Sequence, residues 1–122
     1  FSLSLSFIIT YNNSYNKKTE CFLNANKFLT NSDKNSLVIT DEFSVVYYYS
    51  KRETHFYPNP LNSDSVKNLV NTSYGNRTAY LFFINSDIPV NDEESIKIRE
   101  DLDSNFMKVF ECDNETYLYK VQ

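Results

Sequence analysis

Apolar and polar residues follow two different periods along the chain, and each change of period predicts a new element. Residues 1–9, FSLSLSFII, are apolar at every second position, which is typical of a half-buried strand. Residues 16–30 are apolar at spacings of three, four and seven, which predicts an amphipathic helix with Cys21, Ala25 and Phe28 on one face. The chain therefore predicts a strand followed by a helix at its start.

The same alternation of strand and helix continues to the end of the chain. It predicts a buried strand at 37–40, a well-buried helix capped by Asp41, a strand at 54–58, a helix capped by Ser63 or Ser65 and ended by Gly75, a buried strand at 79–84, a helix at 92–105, and a final hairpin of MKVFEC and TYLYKV. Strands alternating with helices favour a parallel sheet covered on both sides. The predicted fold is α/β: a three-layer, Rossmann-like sandwich with a largely parallel sheet and a C-terminal antiparallel hairpin.

Length and charge narrow the class of protein. The chain has 122 residues, which suits a single domain over residues 1–122. Residues 1–15 have two interpretations, a strand with its linker or the tail of a preceding membrane helix, since nine apolar-rich residues are too few to cross a bilayer. The net charge is −4 and the basic residues are scattered, so a nucleic-acid partner is excluded.

Motifs for common chemistry are missing from the sequence. With a single glycine, the chain has neither the G-x-G-x-x-G dinucleotide fingerprint nor a phosphate-binding P-loop. His55 is the only histidine and has no H-x-x-x-H or C-x-x-C companion, so it is interpreted as structural or surface-exposed. The acids at 92–94 are interpreted as helix-start residues. We therefore assign no catalytic residue, no cofactor-binding residue, no metal ligand and no cofactor.

The two cysteines leave two alternatives open. Cys21 and Cys112 either form a disulfide that closes a long loop, or remain as two buried thiols that pack like small apolar residues. A third hypothesis makes the protein a small hydrolase or transferase that uses Cys21, His55 and a carboxylate. That hypothesis requires the three side chains to converge in one pocket.

Two further patterns concern sugars. Four N-x-[ST] acceptor triplets fall in predicted loops, turns or helix ends, at Asn12, Asn71, Asn76 and Asn114. The aromatic groups at 47–49 and 56–57 either stack on sugar rings or fill the core and its edges.

Several strings taken together carry a resemblance to a known family. These are the helix TECFLNANKFLT, the strand SLVITDE, the aromatic helix ending in YYYSKR, the strand RTAYLFFI, and the terminal FMKVFEC and TYLYKV pair. This order resembles the C-terminal extracytoplasmic domain of archaeal and bacterial membrane glycosyltransferases, the group of dolichyl-phosphate-mannose-protein mannosyltransferases and aminoarabinose transferases. The resemblance covers residues 16–121.

The resemblance implies an accessory role. In that family the lipid-linked sugar donor and the catalytic acid belong to the membrane body, so no catalytic residue transfers to this chain. It implies a domain outside the cytoplasm, tethered through an upstream membrane region, which the start at Phe1 also leads us to expect. Its partners would be the membrane catalytic body of the same chain and a glycan or protein acceptor, and Lys51 and Arg52 are the expected interface residues. The alternative is a free-standing α/β binding or protein-interaction module.

Overall fold

The computed structural model describes residues 16–41, 43–75, 77–84 and 92–121. They form four helices and five strands in the order α1 (Asn16–Thr30), β1 (Leu37–Ile39), α2 (Phe43–Ser50), β2 (Glu53–His55), α3 (Ser63–Ser73), β3 (Ala79–Ile84), α4 (Asp92–Asn105), β4 (Met107–Cys112) and β5 (Thr116–Lys120). The strand predicted at 1–9 lies outside the described residues.

The five strands form one mixed sheet in the order β2-β1-β3-β5-β4. β1 pairs in parallel with β2 and with β3, whereas β5 pairs antiparallel with β3 and with β4. Four strands therefore point the same way and β5 alone is reversed, so the mixed α/β class and the C-terminal hairpin are confirmed. Among the described strands, β2 and β4 lie at the two edges of the sheet.

Helices cover both faces of the sheet. Ala25 and Leu29 of α1 and Val46 of α2 pack with Val38 and Phe82 on one face. On the opposite face, α3 and α4 pack through Val66, Val70 and Leu102 against Leu37 and Leu81. Alternate residues of β1 and β3 thus serve different cores, and all six residues of β3 are buried, as an unbroken apolar run predicts.

The crossovers that join parallel strands all have the same hand. From β1 to β2 the chain passes through α2 on one face and moves towards one edge. From β2 to β3 through α3, and from β3 to β4 through α4, it passes over the other face and moves towards the other edge. A crossover that lies on the opposite face and also runs in the opposite direction has the same hand. All three crossovers therefore agree, as expected for parallel strands.

A side-chain cap and a glycine mark the two ends of α3. The cap of α3 is Asn62, whose side chain accepts from the amide of Ser65, and not Ser63 or Ser65 as predicted. Ser63 instead donates from its amide and hydroxyl to the carboxylate of Asp101, which links α3 to α4. After the helix, Gly75 adopts φ +63°, the left-handed conformation that glycine accommodates most readily.

Candidate functional site

A chain of four polar side chains lies beside the edge strand β2. Glu53 and His55 are two residues apart and share one side of the strand. The carboxylate of Glu53 lies 2.7 Å from His55 Nε2, and Nδ1 of the same ring lies 2.7 Å from the hydroxyl of Tyr74, just after α3. Arg77, just before β3, donates to the same carboxylate at 3.1 Å. The Glu53 carboxylate thus joins β2 to the segment before β3, and the His55 ring joins β2 to the end of α3.

The electrostatics of this cluster favour an ionised Glu53. The hydrogen bond from His55 and the guanidinium of Arg77 hold the pKa of the Glu53 carboxyl below its ordinary value of 4.5, against the opposing effect of burial. Burial raises the pKa of Tyr74 further above neutral pH than its ordinary value of 10.0, so the phenol is protonated with or without this effect. Both bonds to Glu53 use Oε2. The other oxygen, Oε1, retains its capacity to accept a hydrogen bond.

The imidazole of His55 is fully engaged within this cluster. Its ring also packs against that of Tyr74, with the centroids 4.5 Å apart. A histidine that acts as a metal ligand or a general base needs a nitrogen lone pair directed at the ligand or substrate. Here Nε2 faces a carboxylate and Nδ1 a phenol, so the arrangement orients Glu53.

A cavity of about 530 Å³ lies between α2 and β2 and includes this carboxylate in its wall. Its lining residues are Ser44, Tyr47, Glu53 and Thr54. The first two face outward from α2, one turn apart, and the last two belong to the edge strand. The volume lies within the range of small-molecule sites, and the lining residues that the structure describes combine an aromatic ring with a few polar groups.

The helix that borders this cavity is much less buried than its sequence predicts. Tyr47 is 58% exposed and Tyr48 is 65% exposed, whereas Val46 is fully buried. α2 packs beside an edge strand, so only one narrow stripe of the helix meets the sheet. The expectation of a well-buried helix was wrong, and the tyrosines form an exposed aromatic surface.

The other members of this aromatic surface are held by neighbours. Lys51 places its ammonium 4.7 Å from the centre of the Tyr48 ring, within cation–π distance. Tyr49 meets both Tyr48 and Phe22 edge to face, at 5.0 and 6.2 Å. Of the three tyrosines in this helix, Tyr47 is the one that lines the cavity.

Lys51 and Arg52 lie in very different environments. Arg52 is 6% exposed, and its Nη2 donates to the carbonyls of Thr30 and Ser32 at 2.7 Å each. Nη1 lies 3.4 Å from the carbonyl of Ser50. Thr30 and Ser50 end α1 and α2, so the guanidinium satisfies carbonyls at two helix C-termini. Arg52 is thus a buried structural residue, contrary to its expected place in an interface, and Lys51 is the exposed member of the pair.

The two cysteines are joined. Cys21 of α1 and Cys112 of β4 form a disulfide with their Cα atoms 5.5 Å apart, across a sequence separation of 91 residues. This is one of the two alternatives left open by the sequence. It removes the thiol that a cysteine hydrolase would need, so the hypothesis built on Cys21 and His55 was wrong. Within the described ranges, the sole grouping of metal-ligand side chains is this disulfide with Asp113, and sulfurs bonded to each other are not thiolate ligands.

The glycosylation triplets fall in different settings. Asn71 is exposed in the last turn of α3, and Asn114 is exposed in the β4–β5 turn with φ +54°. Thr116, the hydroxyl residue of the second triplet, is 1% exposed. Asn12 and Asn76 lie outside the described residues. In the folded chain, the Asn71 triplet is therefore the more accessible of the two described.

Sequence reasoning missed Glu53, Tyr74 and Arg77 as a group. The predicted strand began at Thr54, one residue late, which left Glu53 outside it. The alternation Glu53, Thr54, His55 was the available signal, because it places both polar residues on one side of a strand. Tyr74 and Arg77 lie between α3 and β3, distant from Glu53 and His55 in the sequence. They come into contact with those two residues only in the folded chain.

No family model, curated protein or solved structure matches this chain. Within the part of the chain that the structure describes, none of the helices has the length and apolar character needed to span a membrane.

Proposed function

We propose that this chain is a non-catalytic accessory domain of a multi-pass membrane glycosyltransferase that uses a lipid-linked sugar donor. In this proposal the domain lies outside the cytoplasm, is tethered through an upstream membrane region, and contacts the acceptor or the membrane catalytic body. The family resemblance suggests the role, and the disulfide is the observation that carries its placement outside the cytoplasm. Helices on both faces of the sheet, with the strand order running in both directions from β1, support the Rossmann-like label.

The disulfide supports the proposed compartment. Bonds between cysteines persist in oxidising surroundings and are rare in the reducing cytoplasm of most organisms. Cys21 and Cys112 join the first described helix to an edge strand, so this bond connects distant parts of the fold. The exposed acceptor Asn71 is consistent with the same compartment.

The state of the ionisable side chains supports an accessory role. Cys21 is bonded to Cys112, both nitrogens of His55 have partners, and the phenol of Tyr74, whose pKa is raised above 10.0, is protonated at neutral pH. A general base or nucleophile works through a lone pair directed at the substrate. These three groups instead contribute to folding and to the orientation of Glu53. Glu53 is the one carboxylate among the described residues that line the cavity, whereas glycoside chemistry uses a pair of carboxyl groups.

Assays of the chain alone and within its parent protein test this proposal. The 122-residue chain, incubated with dolichyl-phosphate-mannose and an acceptor peptide, is expected to unfold cooperatively in urea and to transfer no sugar. Removing the same residues from the parent enzyme should lower transfer to the acceptor. Sugar transfer by the isolated chain would refute the accessory role, and a reading frame without upstream membrane spans would refute the tether.

The exposed tyrosines of α2 favour a second candidate, a free-standing binding module. Exposed aromatic surface beside a cavity commonly marks a binding site, with or without a membrane partner. The upstream reading frame separates the two candidates, because a start codon directly before Phe1 supports the module.

A further inference from the structure

We propose that the cavity between α2 and β2 binds a neutral sugar residue, with the ring of Tyr47 as its stacking surface and the carboxylate of Glu53 as its hydrogen-bond acceptor. This deepens the accessory role and rests on it for its biological meaning, since it names a glycan as the acceptor. The binding itself is a property of the described residues and can be measured on the chain alone.

The polar wall of the cavity is suited to hydroxyl groups. His55 and Arg77 hold Glu53 in place through Oε2, so Oε1 can accept a hydrogen bond without first being ordered. An oriented acceptor binds a donor with a smaller entropic cost than a mobile one. Ser44 is exposed on the facing helix and its hydroxyl both donates and accepts. Neighbouring hydroxyls of a pyranose ring offer the matching donors and acceptors.

The apolar wall is suited to the face of a sugar ring. Tyr47 exposes 58% of its surface and lines the cavity, while Tyr48 is covered on one side by Lys51. The face of an aromatic ring carries negative charge density, which attracts weakly positive C–H groups. One face of a hexose presents such C–H groups while its edge presents hydroxyls. Ring and carboxylate in one cavity of about 530 Å³ match that division.

Charge distinguishes between classes of ligand. Arg77 pairs with Oε2 of Glu53 and is not among the described lining residues, so an anionic sugar in the cavity would meet the ionised carboxylate directly; uronic acids, sialic acids and phosphosugars are therefore disfavoured. A lipid surface is also disfavoured, because burying this carboxylate in an apolar layer is costly. An extended peptide could add a strand to β2, but that strand offers only three residues for pairing. A neutral glycan is the occupant these features favour.

Titration of the isotope-labelled chain tests this inference. The probes are methyl α-mannoside, methyl β-glucoside and α-1,2-mannobiose, followed through backbone amide shifts. We expect saturable shifts at residues 44, 47, 53 and 54, with a Kd on the order of 1 mM, as for a small and solvent-open site. Methyl β-glucuronide, which adds one negative charge to a matched ring, should bind at least about ten-fold more weakly than methyl β-glucoside.

Matched variants separate stacking from general loss of aromatic surface. Tyr47→Ala should weaken binding about ten-fold or more, while Tyr47→Phe should stay within about two-fold. Tyr48→Ala removes an equally exposed tyrosine from the same helix but outside the cavity wall, and should stay within about two-fold. Glu53→Gln keeps the shape of the side chain and should weaken the neutral sugars about ten-fold. Urea unfolding of each variant shows that the fold is retained.

Several results would overturn the inference. These are no amide shift at about 50 mM of every probe, equal losses for Tyr47→Ala and Tyr48→Ala, and binding of the glucuronide as tight as that of the glucoside. Amide shifts caused by anionic lipid vesicles or an apolar strand-forming peptide, with none caused by sugars, would assign the cavity to those partners instead. Sugar binding together with sugar transfer by the chain alone would refute the accessory role and leave this site standing.

Discussion

Replacing Arg52 by methionine tests whether a single buried guanidinium fixes the ends of two helices. The side chain is 6% exposed and donates to the terminal carbonyls of α1 and α2 and to the loop after α1. Within the described residues, none of the ion pairs involves Arg52. Methionine has a similar length and apolar stem, so the variant removes the donors and the charge with little change in volume.

The two shortest hydrogen bonds set the magnitude. Nη2 donates to Thr30 and to Ser32 at 2.7 Å, and a hydrogen bond from a charged group contributes about 1.5–3 kcal/mol. Their sum is about 3–6 kcal/mol, and relief from burying the charge offsets part of it. We expect Arg52→Met to lower the free energy of unfolding by about 3 kcal/mol.

Urea unfolding followed by circular dichroism measures this loss. With a denaturant slope of about 1.5 kcal/mol per molar urea, the midpoint should fall by about 2 M. Arg52→Lys keeps the charge without the planar fork, so its loss should be intermediate. Lys51→Met is the matched control, because it removes a neighbouring exposed cation whose interaction with Tyr48 contributes about 0.5 kcal/mol. A midpoint for Arg52→Met within about 0.3 M of the control would refute the reasoning.

Two further predictions concern the disulfide and the acid response. Reducing the Cys21–Cys112 bond should lower the free energy of unfolding by about 4 kcal/mol, because it closes a loop of 91 residues; an unchanged urea midpoint in reductant would contradict this. The lowered pKa of Glu53 means that its carboxylate stabilises the fold above about pH 5 and that this contribution is lost as pH falls through the lowered value. In Glu53→Gln the urea midpoint should therefore change less with pH below about pH 5 than it does in the unchanged protein. The same pH dependence in both proteins would contradict this prediction.

The disulfide and the buried arginine act on different parts of one helix. Cys21 ties the first half of α1 to β4, while Arg52 holds the carbonyl of Thr30 at its other end. Between them Ala25 and Leu29 pack against the sheet without exposed surface. α1 is therefore held at two points on the face of the sheet that also carries α2. Because α2 packs on the same face, its residue Tyr47 is held in place across the cavity from β2.

Local pattern was sufficient for the elements themselves. The apolar run at 79–84, the helical spacing at 16–30 and the turn at Asp113–Asn114 each depend on interactions within a few residues, and the structure has β3, α1 and the β4–β5 hairpin at those places. The mixed α/β class followed from their order, because parallel strands need a crossover between them. Asn62 shows the limit of this reasoning, since three neighbouring polar residues were all suitable caps and only the backbone conformation distinguished them.

Contacts between distant residues were decided by the tertiary structure alone. The sequence could not show that Tyr74 returns to His55, that Cys21 reaches Cys112, or that one of two adjacent cations is buried against helix ends. These contacts depend on which strand lies at the edge of the sheet and on which face each helix covers. A periodic sequence pattern indicates only which side of a helix or strand is buried, and not what packs against it. Because β2 became an edge strand, the tyrosines of α2 were left exposed and Glu53 came to line a cavity.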